Sequence, residues 1–124
     1  YPEDDAFMNN IKSLNFNFKY KQEIVDIYND RKNNPNNKFV ILTNRTDYVR
    51  DQLIDKLKTD QGIEFDYELF RCFNRNKSHR LRMLLKKLTD VKEIEFYDDK
   101  EKHRKSIKEL QIKFPNIRIE TFKV

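Results

Sequence analysis

Apolar positions recur along the chain in two periods, and the switches between them outline the elements. Residues 20–33 place Ile24, Val25, Ile27 and Tyr28 at helical spacing and run out into an asparagine-rich stretch. Lys38 to Thr43 is a short apolar run, Phe-Val-Ile-Leu between polar ends, as expected of a strand covered on both faces. Thr46 or Asp47 is placed to cap a helix whose inner face is Val49, Leu53, Ile54 and Leu57, ending at Gly62. The aromatic-rich segment Phe65 to Phe73 predicts a second strand around Leu69–Cys72. Leu81, Leu84, Leu85 and Leu88 predict a helix from about Lys77 to Leu88. Glu93 to Tyr97 alternates as a strand, Lys100 to Lys113 is helical with Ile107 and Leu110 facing inward, and Pro115 stops it. Ile117, Ile119 and Phe122 form a last strand.

Four strands separated by helices read as successive βαβ units, hence a three-layer, Rossmann-like α/β domain with a mainly parallel sheet. No internal repeat or second boundary interrupts residues 1–124, so a single domain is expected. The one glycine, Gly62, rules out a glycine-rich phosphate loop. Asparagine takes the turn role instead, in Asn29 to Asn37 around Pro35.

The composition adds three constraints. No apolar run approaches the roughly 18 residues of a membrane span, the longest being Phe39 to Leu42, and the acidic Tyr1 to Asp5 segment lacks signal-peptide features. A single cysteine, Cys72, cannot form an internal disulfide, which favours a reducing, intracellular compartment: cytoplasm, nucleus or mitochondrial matrix. Cys72 with His79 and His103 falls short of a structural zinc set. The 26 Lys and Arg against 21 acids give a net charge of +5, which permits nucleic acid or other acidic partners without requiring them.

In open α/β sheets, ligands bind beyond the carboxyl ends of the strands. That rule selects Thr43-Asn44-Arg45 after the first strand and Asp98-Asp99-Lys100 after the third. Adjacent carboxylates such as Asp98 and Asp99 repel unless a cation lies between them, and magnesium suits them; one of them capping the next helix is the simpler alternative. Thr43 offers a hydroxyl for a phosphate oxygen, or simply closes its own turn. Lys77 offers an ammonium that could offset a transferring phosphoryl group, or is one solvated cation among 26.

Taken in order, these segments resemble motifs two, three and four of the haloacid dehalogenase (HAD) phosphohydrolases. The resemblance is greatest to the HAD-like domains of "Swiss Army Knife" RNA-repair proteins and to polynucleotide 3′-phosphatases. Phe39 to Arg45 is similar to that group's apolar-Leu-Thr-Gly-Arg segment, with Asn44 for Gly. Lys77 with Leu81, Leu84 and Leu85 is similar to its Phe-Lys-x-x-Phe-Leu-x-x-Leu-Leu helix, without the Phe before Lys. Phe96 to His103 is similar to its apolar-Tyr-(Asp/Glu)-Asp-Arg-x-x-His segment, with Lys100 for Arg. The match runs from about Phe18 to Phe122.

The resemblance implies a magnesium-dependent phosphohydrolase of nucleic-acid ends. Thr43, Lys77 and Asp99 would be catalytic, Asp98 and Asp99 would hold the metal, and Arg45, Arg71, Arg75, Arg80, Lys100 and His103 would line the nucleic-acid path. Basic residues crowd the stretch from Arg71 to Lys87, where acids are scarce, and again from Lys100 to Lys108. One motif of the family has no match: the Asp-x-Asp-x-Thr segment, whose first Asp is the nucleophile. Asp4-Asp5 has no strand before it and continues into Ala6-Phe7. In the HAD topology that motif's strand lies between the Val40 and Ile94 strands, and losing it would strand backbone groups at about 1–3 kcal/mol each. The expectation is therefore that these residues are the C-terminal part of a longer domain. The alternatives are a sheet in which those two strands pair directly, and a non-catalytic basic module that binds RNA or a ribonucleoprotein. A small-molecule phosphatase is a third option, without need of the basic rim.

Overall fold

The computed structural model describes residues 19–45, 47–70 and 77–124. The predicted cap Thr46, the basic residues Arg71 and Arg75, Cys72 and the Asp4-Asp5 pair lie outside the described residues. The chain divides into two compact units, one of residues 1–41 and 45–71 and one of residues 42–44 and 72–124.

Among the described residues the first element of the first unit is α1 (Gln22–Arg31), with Glu23 in its first turn and Arg31 in its last, matching the helix dipole. The asparagine stretch then closes the helix by side-chain bonds. Asn37 Nδ2 donates to the Arg31 carbonyl (3.1 Å) and the Asn36 N–H donates to Asn34 Oδ1 (2.9 Å). Strand β1 (Val40–Leu42) pairs with β2 (Tyr67–Leu69). β2 lies two residues before the predicted Leu69–Cys72. Asp66 anchors that register: its N–H donates to the Phe39 carbonyl (2.7 Å) and its Oδ2 accepts the Phe39 N–H (2.8 Å). A 3-10 turn (Asp47–Val49) leads into α2 (Arg50–Gln61). Asp47 is not the predicted N-cap. Val49 holds that position with no side-chain bond, and the Asp47 carboxylate binds the Arg50 guanidinium instead (3.0 Å). Ile41, Val49, Leu53, Leu57 and Phe70 form the core, with Tyr20, Ile54 and Phe65 packed around it.

The second unit contains α3 (Lys77–Leu85), β3 (Glu93–Tyr97), α4 (Glu101–Lys108), α5 (Leu110–Lys113) and β4 (Arg118–Phe122). β3 and β4 are parallel, with Ile94 opposite Ile119 and Phe96 opposite Thr121. Their ladder continues past β3, where the Asp98 N–H donates to the Phe122 carbonyl (3.1 Å). Leu81, Leu84, Leu85, Phe96, Ile107, Leu110, Ile117 and Ile119 are buried. Ser106 Oγ and Ser78 Oγ, 2.7 Å apart, tie α4 to α3.

Two predicted helices differ in length. α3 ends at Leu85 in turn-like bonds rather than reaching Leu88, and the predicted 100–113 helix divides at Glu109 into α4 and α5. Gln111 accounts for the tight end of α5. Its amide nitrogen donates to the Phe114 carbonyl (3.0 Å) and to the Ile117 carbonyl, while its Oε1 accepts the Ile119 N–H (3.0 Å). Lys108 Nζ donates to the carbonyl of the same Ile119. Phe114, at φ −127°, leaves the helix just before Pro115 as that proline requires.

The α/β class is as expected. The described strands form two separate two-stranded sheets rather than one layer of four, and β1 and β3 are not paired with each other among the described residues. No helix among the described residues is long and apolar enough to cross a membrane.

Candidate functional site

The site grows from the point where β3 stops. Phe96 is buried, Tyr97 stacks on Phe122 (5.0 Å, 17° between planes), and the next residue, Asp98, follows β3 directly, with its N–H still on the ladder. Asp98 is only 8% exposed. A buried carboxylate stays ionised only where donors replace its water, and here three do. Lys77 Nζ lies 2.8 Å from Oδ2, His103 Nδ1 lies 3.2 Å from the same oxygen, and the Lys100 N–H donates to Oδ1 at 2.8 Å. The Asp98 carbonyl accepts from Arg104 Nη1 at 3.0 Å.

These partners come from two helix starts. Lys77 is the first residue of α3, its side chain 14% exposed, and His103 and Arg104 lie in the first turn of α4. Helical side chains lean toward the N-terminus, so both helices direct these groups back over the end of β3. Burial by itself raises the Asp98 pKa. The Lys77 hydrogen bond, the Lys100 N–H and the Lys77 charge outweigh it, and the carboxyl is held below its ordinary value.

Asp98 and Asp99 are therefore not equivalent. Asp98 is occupied by Lys77, His103 and the Lys100 backbone, whereas Asp99 is exposed to solvent. Asp98 also is not a simple helix cap, because the N-cap of α4 is Lys100, with no side-chain cap bond. Magnesium takes hard oxygen donors, often one or two carboxylates with water and substrate phosphate. Asp99 is exposed and offers such oxygens, and Asp98 Oδ1 accepts only the Lys100 N–H while Oδ2 is shared by Lys77 and His103.

Of the other predicted residues, Thr43 is half-buried directly after β1 and belongs to the same unit as the Lys77–Asp98 pair. Arg45 belongs to the first unit, where burial lowers its pKa. Arg80 is half-buried on α3, its Nε enclosed without a hydrogen-bond partner, and Lys100 is exposed. His103, which the resemblance places on the nucleic-acid path, is buried (8%) against Asp98. Sequence reasoning also missed the Arg104 contact. The spacing of five and six residues from Asp98 across a strand–helix turn was the available signal.

A buried ion pair beyond the carboxyl end of a parallel strand, between two helix starts, defines an α/β domain with its site where open sheets hold ligands. A sequence model of HAD domain family 1 in Swiss Army Knife RNA repair proteins matches residues 5–124, and the chain belongs to that family. No curated protein and no solved structure matches it significantly.

Proposed function

We propose that this domain hydrolyses terminal phosphate from nucleic-acid strands with magnesium, as the C-terminal part of an HAD phosphatase whose nucleophilic aspartate lies in sequence outside these 124 residues. Membership of an RNA-repair HAD family suggests a phosphatase-related role, and the Lys77–Asp98 pair at the end of β3 is the observation that carries the finer reading.

Lys77 has three ammonium protons, and the 2.8 Å bond to Asp98 uses one. The others remain to neutralise charge on a phosphoryl group, which in phosphoryl transfer is most of what a protein must do. Thr43 would hold a phosphoryl oxygen through its hydroxyl. Magnesium, when bound, supplies Lewis-acid polarisation of the phosphoryl oxygens, and Asp99 would hold it. Within the second unit, Arg80 and Lys100 would line the strand path. α3 itself carries no acidic residue, and Lys86, Lys87, Lys102 and Lys105 are exposed, which suits a polyanion.

The test is phosphate release from a 3′-phosphorylated oligonucleotide by the full-length protein in magnesium. Release that falls at least about 100-fold in Asp99→Asn, with the circular-dichroism spectrum unchanged, is the expected result. Wild-type protein that binds the strand but releases nothing would replace the enzyme by a non-catalytic, basic RNA-binding module.

A further inference from the structure

We infer that His103 is a positioning residue, fixing the Asp98 carboxylate so that the Lys77 ammonium is held in one place. Its importance for turnover rests on the reading of Lys77 given above.

An ionised carboxylate only accepts hydrogen bonds, so the imidazole nitrogen 3.2 Å from Asp98 Oδ2 carries the proton. The Asp98 backbone is fixed on both sides, through its N–H to Phe122 and its carbonyl to Arg104. Its carboxylate still has a soft torsion, because the sp³–sp² bond that carries it has broad wells. Two donors from the beginning of α4 remove that freedom, one on each oxygen: the Lys100 N–H on Oδ1 and His103 Nδ1 on Oδ2. Without His103, Oδ2 would be left among the described residues with Lys77, the most flexible member of the cluster. The carboxylate and ammonium could then swing together. His103 therefore supplies the fixed reference that a Lys–Asp pair cannot give itself. A purely space-filling role is a poor fit, since an imidazole buried in a first helical turn beside Ile107 would otherwise leave a polar nitrogen unpaired.

Side-chain isosteres separate positioning from packing. In asparagine the amide nitrogen sits near the place of Nδ1, and in glutamine it sits near Nε2. The experiment uses the full-length protein with ¹⁵N-labelled lysine, following the Lys77 ammonium resonance (assigned by its loss in Lys77→Arg), thermal melts and kinetics on the 3′-phosphorylated oligonucleotide. His103→Gln and His103→Ala should broaden or shift the Lys77 signal and lower kcat about 10–100-fold, with KM within about twofold. His103→Asn should restore most of both. A folded His103→Gln with the wild-type Lys77 signal and kcat would overturn the assignment, as would His103→Asn as impaired as His103→Gln. If His103→Ala does not fold, the Asn and Gln pair decides alone. Should the wild type release no phosphate while its Lys77 signal still depends on His103 as stated, the positioning stands and the phosphatase reading falls.

Discussion

Asp98 illustrates how one buried charge is kept charged. It gives up water, and the Lys77 ammonium, the Lys100 N–H and the His103 ring replace it. Removing one partner of such a pair leaves the other uncompensated, so Asp98→Ala should cost about 3–5 kcal/mol in urea denaturation at neutral pH. The pH dependence has a definite sign. With the native pKa lowered, the unfolded chain takes up the proton first. The stabilisation is complete above the unfolded carboxyl value of about 3.9 and is lost as pH falls through the native value. The stability gap between wild type and Asp98→Ala should therefore stay level from about pH 5 to 8 and narrow below about pH 4. A gap independent of pH down to about 2 would contradict the ionised pair.

At the scale of elements, helix α2 ends as its sequence requires. Gly62 adopts φ +68°, its N–H donates to the Lys58 carbonyl (3.0 Å), and the Ile63 N–H reaches the Leu57 carbonyl (3.2 Å). A Cβ at position 62 would meet nothing within 4 Å, so the cost of Gly62→Ala is conformational only. It should be about 1–2 kcal/mol, seen as a lower Tm with unchanged spectra. This end was legible in sequence because glycine is the usual residue for that backbone state. The strands were legible where apolar residues run together, as in Val40–Leu42, or alternate with polar ones, as in Glu93–Tyr97. They were less so at β2, where register follows the Asp66 bonds to Phe39 and not the aromatic positions around it. The division at Glu109 was invisible because Ile107 and Leu110 keep helical spacing across it. In the site, Asp98 and Asp99 were selected by the strand-end rule, and Lys77 as an ammonium at a helix start. That Asp98 is buried among its donors and Asp99 is exposed depends on which one faces inward, and an Asp-Asp pair in sequence does not say.

For the molecule as a whole, the +5 charge is concentrated on helices that carry few acids on the same stretch. Binding of a single-stranded 3′-phosphorylated RNA should weaken as salt rises from 50 to 200 mM, with a log–log slope near −2 if about three phosphates are neutralised. Lys86→Ala and Lys102→Ala should each flatten the slope by about 0.7, read by fluorescence anisotropy. A slope near zero would mean that these exposed cations hold no phosphates.

The two side chains that reach Ile119 have a consequence for solubility. Among the described residues β4 pairs only with β3, and the backbone groups on its other side are of the kind that can recruit another strand. Gln111 takes the outward N–H of Ile119 and Lys108 its carbonyl, blocking the central position at which a second chain would dock. Lys108→Ala/Gln111→Ala should therefore make the protein self-associate at concentrations where the wild type stays dispersed. Sedimentation velocity across a dilution series checks this, and identical profiles for the two proteins would show that something other than these side chains keeps the edge from recruiting a neighbour.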